Sequence, residues 1–147
     1  MKPPAAILLT LCLTAQADPS QRAQEAAVAD VATTVMGLSL GAAEANPIGL
    51  VTIPLKWGIL EYAGRLPDGE KQTVQSAVGS FWLGAAVNNI CVIFSILSGG
   101  TFAPLCAAAG GAVALQRWTA GADEREFWAL CARERVKNPK MTCEFTA

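Results

Sequence analysis

The chain has 147 residues, which is enough for one domain. Its composition is 52% hydrophobic and only 16% charged, whereas a soluble domain usually carries about 25% charged residues. The net charge of −1 gives no electrostatic basis for nucleic-acid binding, and the absence of histidine excludes Ser-His-Asp catalysis, Cys-His catalysis and histidine metal sites. The composition therefore indicates a membrane protein, and we expect no metal, cofactor or nucleic-acid partner.

Residues 1–17 have the three parts of a secretory signal peptide. Lys2 provides a short basic start, and residues 5–13 form an apolar run that is too short to span a bilayer. A small-x-small cleavage site then follows at Ala15-Gln16-Ala17. We expect cleavage after Ala17, with an uncleaved anchor as the alternative, so that the mature chain begins at residue 18.

Four apolar segments follow, and they predict an all-α fold: a polytopic membrane helical bundle of about four spans. A spanning helix needs about 20 apolar residues, with a range of about 17–25. The third segment meets this length easily, and the first and fourth meet it with tolerance. The second is short and contains Pro54 and Lys56, so it is a kinked span, a re-entrant segment or an interfacial helix. The segments cover residues 26–43, 48–63, 78–98 and 102–118, within a transmembrane domain of residues 18–120.

Small residues recur at helical spacing on the last two segments, which a tight turn at residues 98–101 joins as an antiparallel hairpin. Small residues at this spacing let helix backbones approach closely in lipid. The faces predict packing inside one bundle, which we favour, or a dimer interface. On the fourth segment the patterns are Cys106-Gly110-Ala114 and Ala107-Gly111, and on the third the matching face contains Ser80, Gly84, Asn88, Cys91 and Ser95.

A narrow polar stripe follows the first apolar segment. Ionisable groups at membrane depth are costly and usually face a partner or water. Glycines within the stripe would admit a neighbouring helix closely. Projected on one helix at 100° per residue, the stripe contains Asp30, Thr34, Gly37, Gly41 and Glu44, with Thr33 at its edge.

Two other segments carry residues that we expect to meet this stripe. Lys56 would neutralise two charges at once by pairing with Asp30 or with Glu44. Asn88 and Asn89 on the third segment are the other candidates, and we expect Lys56 or Asn88 to lie against the stripe in the folded bundle. The cluster predicts a structural polar clamp that fixes helix register, with an ion, proton or small-ligand site as the alternative.

The polar stripe also carries a motif. Asp30-x-x-Thr33-Thr34 is followed by Gly41-x-x-Glu44-x-Asn46-Pro47. This string resembles the pattern D-x-x-[ST]-T…G-x-x-E-x-N-P of a family of small, uncharacterised multi-pass bacterial membrane proteins. The resemblance covers about an eighth of the chain and implies a membrane location. It also implies that five residues act as a unit, namely Asp30, Thr33, Thr34, Glu44 and Asn46.

Residues 121–147 are predicted to form an extramembrane C-terminal tail with a short amphipathic helix. Asp123 and Glu126 resemble a capping box, and Asn138-Pro139 ends the helix. The charges of the tail balance, which is typical of a solvated surface, so we assign them no ligand. Cys131 and Cys143 are expected to form a disulfide in an oxidising compartment.

Membrane topology is the point on which two signals conflict. A cleaved signal places the mature N-terminus outside, so four spans return the tail to the periplasmic side of a bacterial inner membrane. The positive-inside rule favours the opposite orientation, because the Lys and Arg residues lie on that side. We favour the outside tail, since export of the N-terminus fixes the first crossing; three spans would place the tail inside. Tyr62, Trp82 and Trp118 are expected at one interface.

These features predict a small, non-enzymatic integral membrane protein that organises partners through small-residue helix faces around a buried polar cluster. The expected partners are the lipid bilayer and either a second copy or another membrane protein. The alternative is a holin-like phage protein or another ion- or proton-conducting protein, which the polar stripe and small size would suit. An intramembrane enzyme is disfavoured, because only carboxylates, Thr and Cys are available as catalytic groups.

Overall fold

Five α-helices make up nearly all of the structure, a computed structural model that describes residues 18–42, 48–99 and 103–145. The all-α prediction is confirmed for these residues, which contain no strand. The predicted signal peptide, residues 1–17, lies outside the described residues. The helices are α1 Pro19–Ser39, α2 Ile48–Gly64, α3 Asp68–Leu97, α4 Ala103–Ala120 and α5 Ala122–Lys137.

Helix α1 begins earlier and ends earlier than the hydropathy pattern predicts. The Asp18 carboxylate accepts hydrogen bonds from the backbone N–H groups of Ser20 and Gln21, at 2.7 and 3.3 Å, and Pro19 occupies the first turn. Both are standard helix-start chemistry. At the other end Gly41 has a φ of +92°, which glycine adopts without a Cβ penalty. Gly41 therefore does not continue the helical stripe as predicted, and Glu44 and Asn46 lie outside the described residues.

Helix α3 is the central element, and α1 packs along it in parallel. It has 30 residues and starts at Asp68, well before the predicted residue 78, with two acidic residues in its first turn that suit the helix dipole. A Cβ on Gly79 would lie 3.1 Å from the Cα of Ala23, and a Cβ on Gly37 would lie 3.8 Å from Ile93. Both contacts pair α1 with α3 in the same direction.

Helix α4 packs against the other side of α3 in the antiparallel sense. A Cβ on Gly110 would lie only 2.5 Å from the Gly84 carbonyl oxygen, so the two backbones touch. Cys91 and Cys106 form a disulfide further along the same interface, toward the C-terminal end of α3. The Cys106-Gly110-Ala114 face is therefore used inside the bundle, as favoured from the sequence. The Ala107-Gly111 face is exposed.

Helix α5 packs on the N-terminal part of α3. Two charged residues of α5 form ion pairs with other helices, so its charged surface is not purely solvated as predicted. Arg135 forms an ion pair with Asp68, and Glu124 forms one with Arg22 of α1. The capping-box prediction is wrong, because the helix already begins at Ala122 and no side chain caps it. The helix ends at Lys137, and the predicted disulfide partners are joined in the structure: Cys131 and Cys143.

The buried core is small and the large apolar side chains lie mostly outside it. The core cluster consists of Ala26, Ala27 and Trp82, with partly buried neighbours such as Leu83. Trp82 is only 4% exposed and packs against the alanines of α1, so its side chain does not lie on the outer surface of the bundle; its place at a membrane interface stays a prediction. Among the described residues, one helix, α3, is long and apolar enough to cross a membrane. The four-span arrangement thus stays a prediction.

The close α3–α4 contact makes a specific prediction about neighbouring glycines. Gly110→Ala should destabilise the fold by about 1–3 kcal/mol, the usual cost of overpacking, because its Cβ would overlap the α3 backbone. Gly111→Ala is the matched control: a Cβ there meets nothing within 4 Å, and alanine favours a helix by about 1 kcal/mol over glycine. Thermal unfolding in detergent, followed by circular dichroism, measures both. Equal melting temperatures for the two variants would contradict the contact.

Candidate functional site

A buried ion pair joins the first two helices at the centre of the predicted polar cluster. Asp30 on α1 and Lys56 on α2 are 5% and 4% exposed, and Lys56 Nζ lies 2.6 Å from Asp30 Oδ2. A buried charge is tolerated when it is paired and hydrogen-bonded. Each of these two residues supplies the counter-charge that the other requires. Separating α1 from α2 would leave a buried charge without its partner, which is costly in free energy.

Asn89 brings the third helix into the same network. Its side-chain amide Nδ2 donates to Asp30 Oδ1 at 2.9 Å, and it lies 3.1 and 3.3 Å from the hydroxyl oxygens of Thr34 and Thr33. The Thr33 hydroxyl lies within hydrogen-bond distance of the backbone carbonyls of Ala29 and Asp30. Both oxygens of the Asp30 carboxylate thus have a partner. The arrangement neutralises the charge and ties together α1, α2 and α3.

The network borders a cavity of about 520 Å³ between α2 and α3. Asp30, Lys56 and Asn89 line it on the polar side, and Phe81 and Ile59 line it on the apolar side. A cavity next to a paired carboxylate and ammonium has room for water or a small ion beside groups that bind either. The geometry is therefore compatible with a clamp and with a hydrated ion site.

The structure brings together most of the predicted cluster, but only one of the two predicted asparagines, Asn89, joins its hydrogen-bond network. Asp30, Thr33, Thr34, Lys56 and Asn89 form one network. Asn88 lines the same cavity, but its backbone also faces α4, where it would lie 3.3 Å from a Cβ on Gly110. It makes no hydrogen bond to Asp30. Glu44 and Asn46, the remaining predicted members, lie outside the described residues.

One covalent link was not expected from the sequence: the disulfide between Cys91 and Cys106. A signal for it is present, since Cys91 and Cys106 both lie on the small-residue faces that the sequence predicts to pack together across the hairpin. Two cysteines that face each other across one close interface can come within the Cα distance that a disulfide needs. Reading the cysteines only as small residues misses this link.

A second group of contacts holds the end of the bundle where α5 begins. The Arg125 guanidinium donates to the Trp118 carbonyl at 2.6 Å and to the Ser76 hydroxyl at 3.3 Å, and it stacks 3.5 Å from the centre of the Trp118 ring. Burial lowers the pKa of Arg125, and the nearby Glu124 carboxylate acts in the opposite direction. These contacts fix the angle at which α5 leaves α4.

Comparisons of the chain with protein-family models, with curated proteins and with solved structures find no match. The similarity of residues 30–47 to a bacterial membrane-protein motif therefore stays a prediction.

The buried pair predicts strongly non-additive effects on stability. Lys56→Met should cost about 3–5 kcal/mol of unfolding free energy because it leaves the Asp30 charge buried and unpaired, and Asp30→Leu should cost a similar amount for the converse reason. The double variant should recover most of this loss, since apolar replacement of a whole buried pair is often neutral. Denaturant titration in detergent micelles measures the cycle.

Lys140→Met, a change at an exposed residue, is the matched control and should stay within about 0.5 kcal/mol of the parent. A double variant that loses the sum of the two single effects would show that Asp30 and Lys56 act independently.

Proposed function

We propose that this chain is a small, non-enzymatic integral membrane protein whose helices α1 to α4 cross the bilayer and whose α5 and tail lie outside it. The observation that supports the proposal best is an inverted distribution of side chains. Apart from Trp82 and Ile93, the buried residues are mainly alanine, glycine, cysteine and polar groups, while many large apolar side chains are exposed. Such a distribution is unfavourable in water and suits a lipid environment, where helices pack through small and polar residues.

The inversion is seen most clearly on α3 and α4. Phe81 is 68% exposed, and Leu97, Leu105 and Leu115 are each more than 60% exposed. By contrast, Lys56 and Gln75 are among the most buried residues. In α3, an 18-residue window with a mean hydropathy of 1.7 has only 33% of its residues buried. A helix in the core of a soluble protein would be mostly buried.

The directions of the helices support four crossings. Helices α1 and α3 run parallel, and α4 runs antiparallel to α3, so both termini of a four-span bundle lie on one side. The ion pairs of α5 lie at that side too, together with Tyr62 and Trp118. We place this side in the periplasm of a bacterial inner membrane, after removal of residues 1–17, because the disulfide between Cys131 and Cys143 suits an oxidising compartment.

Within this bundle the Asp30–Lys56–Asn89 network serves as a clamp, and the outer face of α4 serves as the surface for association. Every oxygen of the Asp30 carboxylate is already engaged, which favours a structural role for the network. The outer face contains Ala107 and Gly111, both exposed. A second copy of the chain presents the same small residues, so two such faces can approach closely around a two-fold axis.

The membrane location predicts how the protein is extracted from cells. It should remain in the membrane fraction after alkaline carbonate and after urea, and enter solution only with detergent, because its outward surface is apolar. A reporter that is active only in the periplasm, fused after Ala147, should be active. Release by carbonate would contradict the proposal, and activity of a cytoplasmic reporter alone would reverse the orientation.

Association through α4 predicts different effects of two glycine substitutions. Gly111→Leu should weaken self-association in liposomes by about tenfold or more, equivalent to about 1.4 kcal/mol, because a large side chain separates the two helices. Gly58→Leu on α2 is the matched control, since an added Cβ at either glycine meets nothing within 4 Å. Energy transfer between labelled copies measures association. Equal association of both variants would exclude this face.

Conduction of ions or protons is the second candidate, and the cavity of about 520 Å³ beside the Asp30–Lys56 pair supports it. Liposomes that contain the protein separate the two proposals. A clamp leaves the liposomes tight to protons and alkali ions. A leak that Asp30→Asn changes while membrane insertion is retained would favour conduction.

A further inference from the structure

A groove of about 990 Å³ runs along the bundle between α1 and the α4–α5 junction, with α3 as its floor. It forms because α1 and α4 pack on different sides of α3. Its volume lies at the upper end of the range of about 300–1,000 Å³ that small-molecule sites occupy. The clamp does not use this groove, apart from Thr33 at its edge.

The groove is polar at one end and apolar at the other. Arg22, Glu25 and Arg117 line the end near the start of α5, and Val28, Met36 and Ile90 line the rest. From Arg22 to Met36 helix α1 rises by about 21 Å, at 1.5 Å per residue. In the proposed orientation the polar end lies at the membrane surface and the apolar end extends toward the middle of the bilayer.

Two hydrogen-bond acceptors at the polar end have no partner among the described residues. Gln75 is 2% exposed and its side-chain oxygen Oε1 accepts no hydrogen bond. Glu25 accepts from Gln21 through Oε1, but its other carboxylate oxygen, Oε2, is buried and unpaired. Buried acceptors are normally satisfied, and a ligand in the groove that donates hydrogen bonds would satisfy both. The Glu25 charge favours a cationic donor.

The Arg117 guanidinium at the same end of the groove can bind an anionic group. Within the part of the chain that the structure describes, Arg117 makes no ion pair within 4 Å. Glu124 acts on it electrostatically, but Arg22 already holds the Glu124 carboxylate. Arginine binds phosphate particularly well, because its planar donors match the phosphate oxygens.

We propose that the groove binds one phosphatidylethanolamine molecule, and this inference rests on the membrane location proposed above. The primary ammonium donates to Glu25 Oε2 and Gln75 Oε1, the phosphate binds Arg117, and an acyl chain lies along Val28 and Met36. Phosphatidylcholine fits less well because its quaternary ammonium has no N–H to donate. Phosphatidylglycerol fits less well because it brings a net negative charge toward Glu25 and Asp123.

Lipid titration of the full-length protein in detergent, followed by native mass spectrometry, tests the site. The probes are the three phospholipids with identical acyl chains. Phosphatidylethanolamine should bind about tenfold more tightly than either of the others, which is the lower end of the effect of a hydrogen bond to a charged group. Binding of all three within about twofold, or a preference for phosphatidylglycerol, would overturn the proposal.

Matched substitutions assign the contacts. Glu25→Gln and Arg117→Gln should each weaken phosphatidylethanolamine binding by about tenfold, and Glu25→Gln should also remove the preference over phosphatidylcholine. Glu70→Gln and Arg133→Gln, at exposed positions, should leave binding unchanged. Unchanged binding in both groove variants would place the lipid elsewhere.

The melting temperature of each variant shows whether it folds, and Gln75→Glu, which keeps the acceptor, gives a second readout that does not depend on removing a charge. It should retain the preference for phosphatidylethanolamine; loss of that preference would count against Gln75 as an acceptor for the ammonium.

Different results would refute the membrane location and the lipid site. A protein released by alkaline carbonate refutes the membrane location, whereas an embedded protein without lipid preference refutes only the groove.

Discussion

The charge of Asp30 and the charge of Lys56 are each tolerated inside this bundle only because the other is 2.6 Å away. A lone charge in an apolar interior is strongly unfavourable, and loss of one partner costs more than loss of both. The pair therefore fixes the position of α2 on α1. Asn89 extends the same constraint to α3, so the register of three helices depends on one carboxylate.

Helix α3 connects the ion pair to the rest of the bundle through its contacts with α1 and α4. On one side glycine and alanine bring its backbone close to α1, and on the other side Gly84 and Gly110 bring it into backbone contact with α4. The disulfide between Cys91 and Cys106 holds this second interface near the turn, and the contacts of Arg125 hold it at the far end. Small residues dominate these interfaces, and many of the large apolar side chains lie on the outside of the bundle.

The cavity beside the Asp30–Lys56 pair and the groove between α1 and the α4–α5 junction differ in how their polar groups are paired. Next to the clamp, the carboxylate and ammonium satisfy each other, and a ligand would have to compete with them. Between α1 and the α4–α5 junction, among the residues that the structure describes, Glu25 and Gln75 each present an acceptor without a hydrogen-bond partner, and Arg117 has no ion-pair partner. The first arrangement suits structural stability, and the second suits an amphipathic ligand with both charges in its head group.

Local patterns in the sequence determined the helical class, the approximate extent of α2 and α4, the turn after α3, and the pairing of Asp30 with Lys56 as one of two options. These follow from hydropathy, glycine positions and the high cost of an isolated buried charge, all of which are local or pairwise. Tertiary structure decided which asparagine joins the pair, because the rotation of α3 against α1 selects Asn89 over Asn88. It also decided that Trp82 is buried and that Arg22 meets Glu124, since long-range packing places residues together that no periodicity relates.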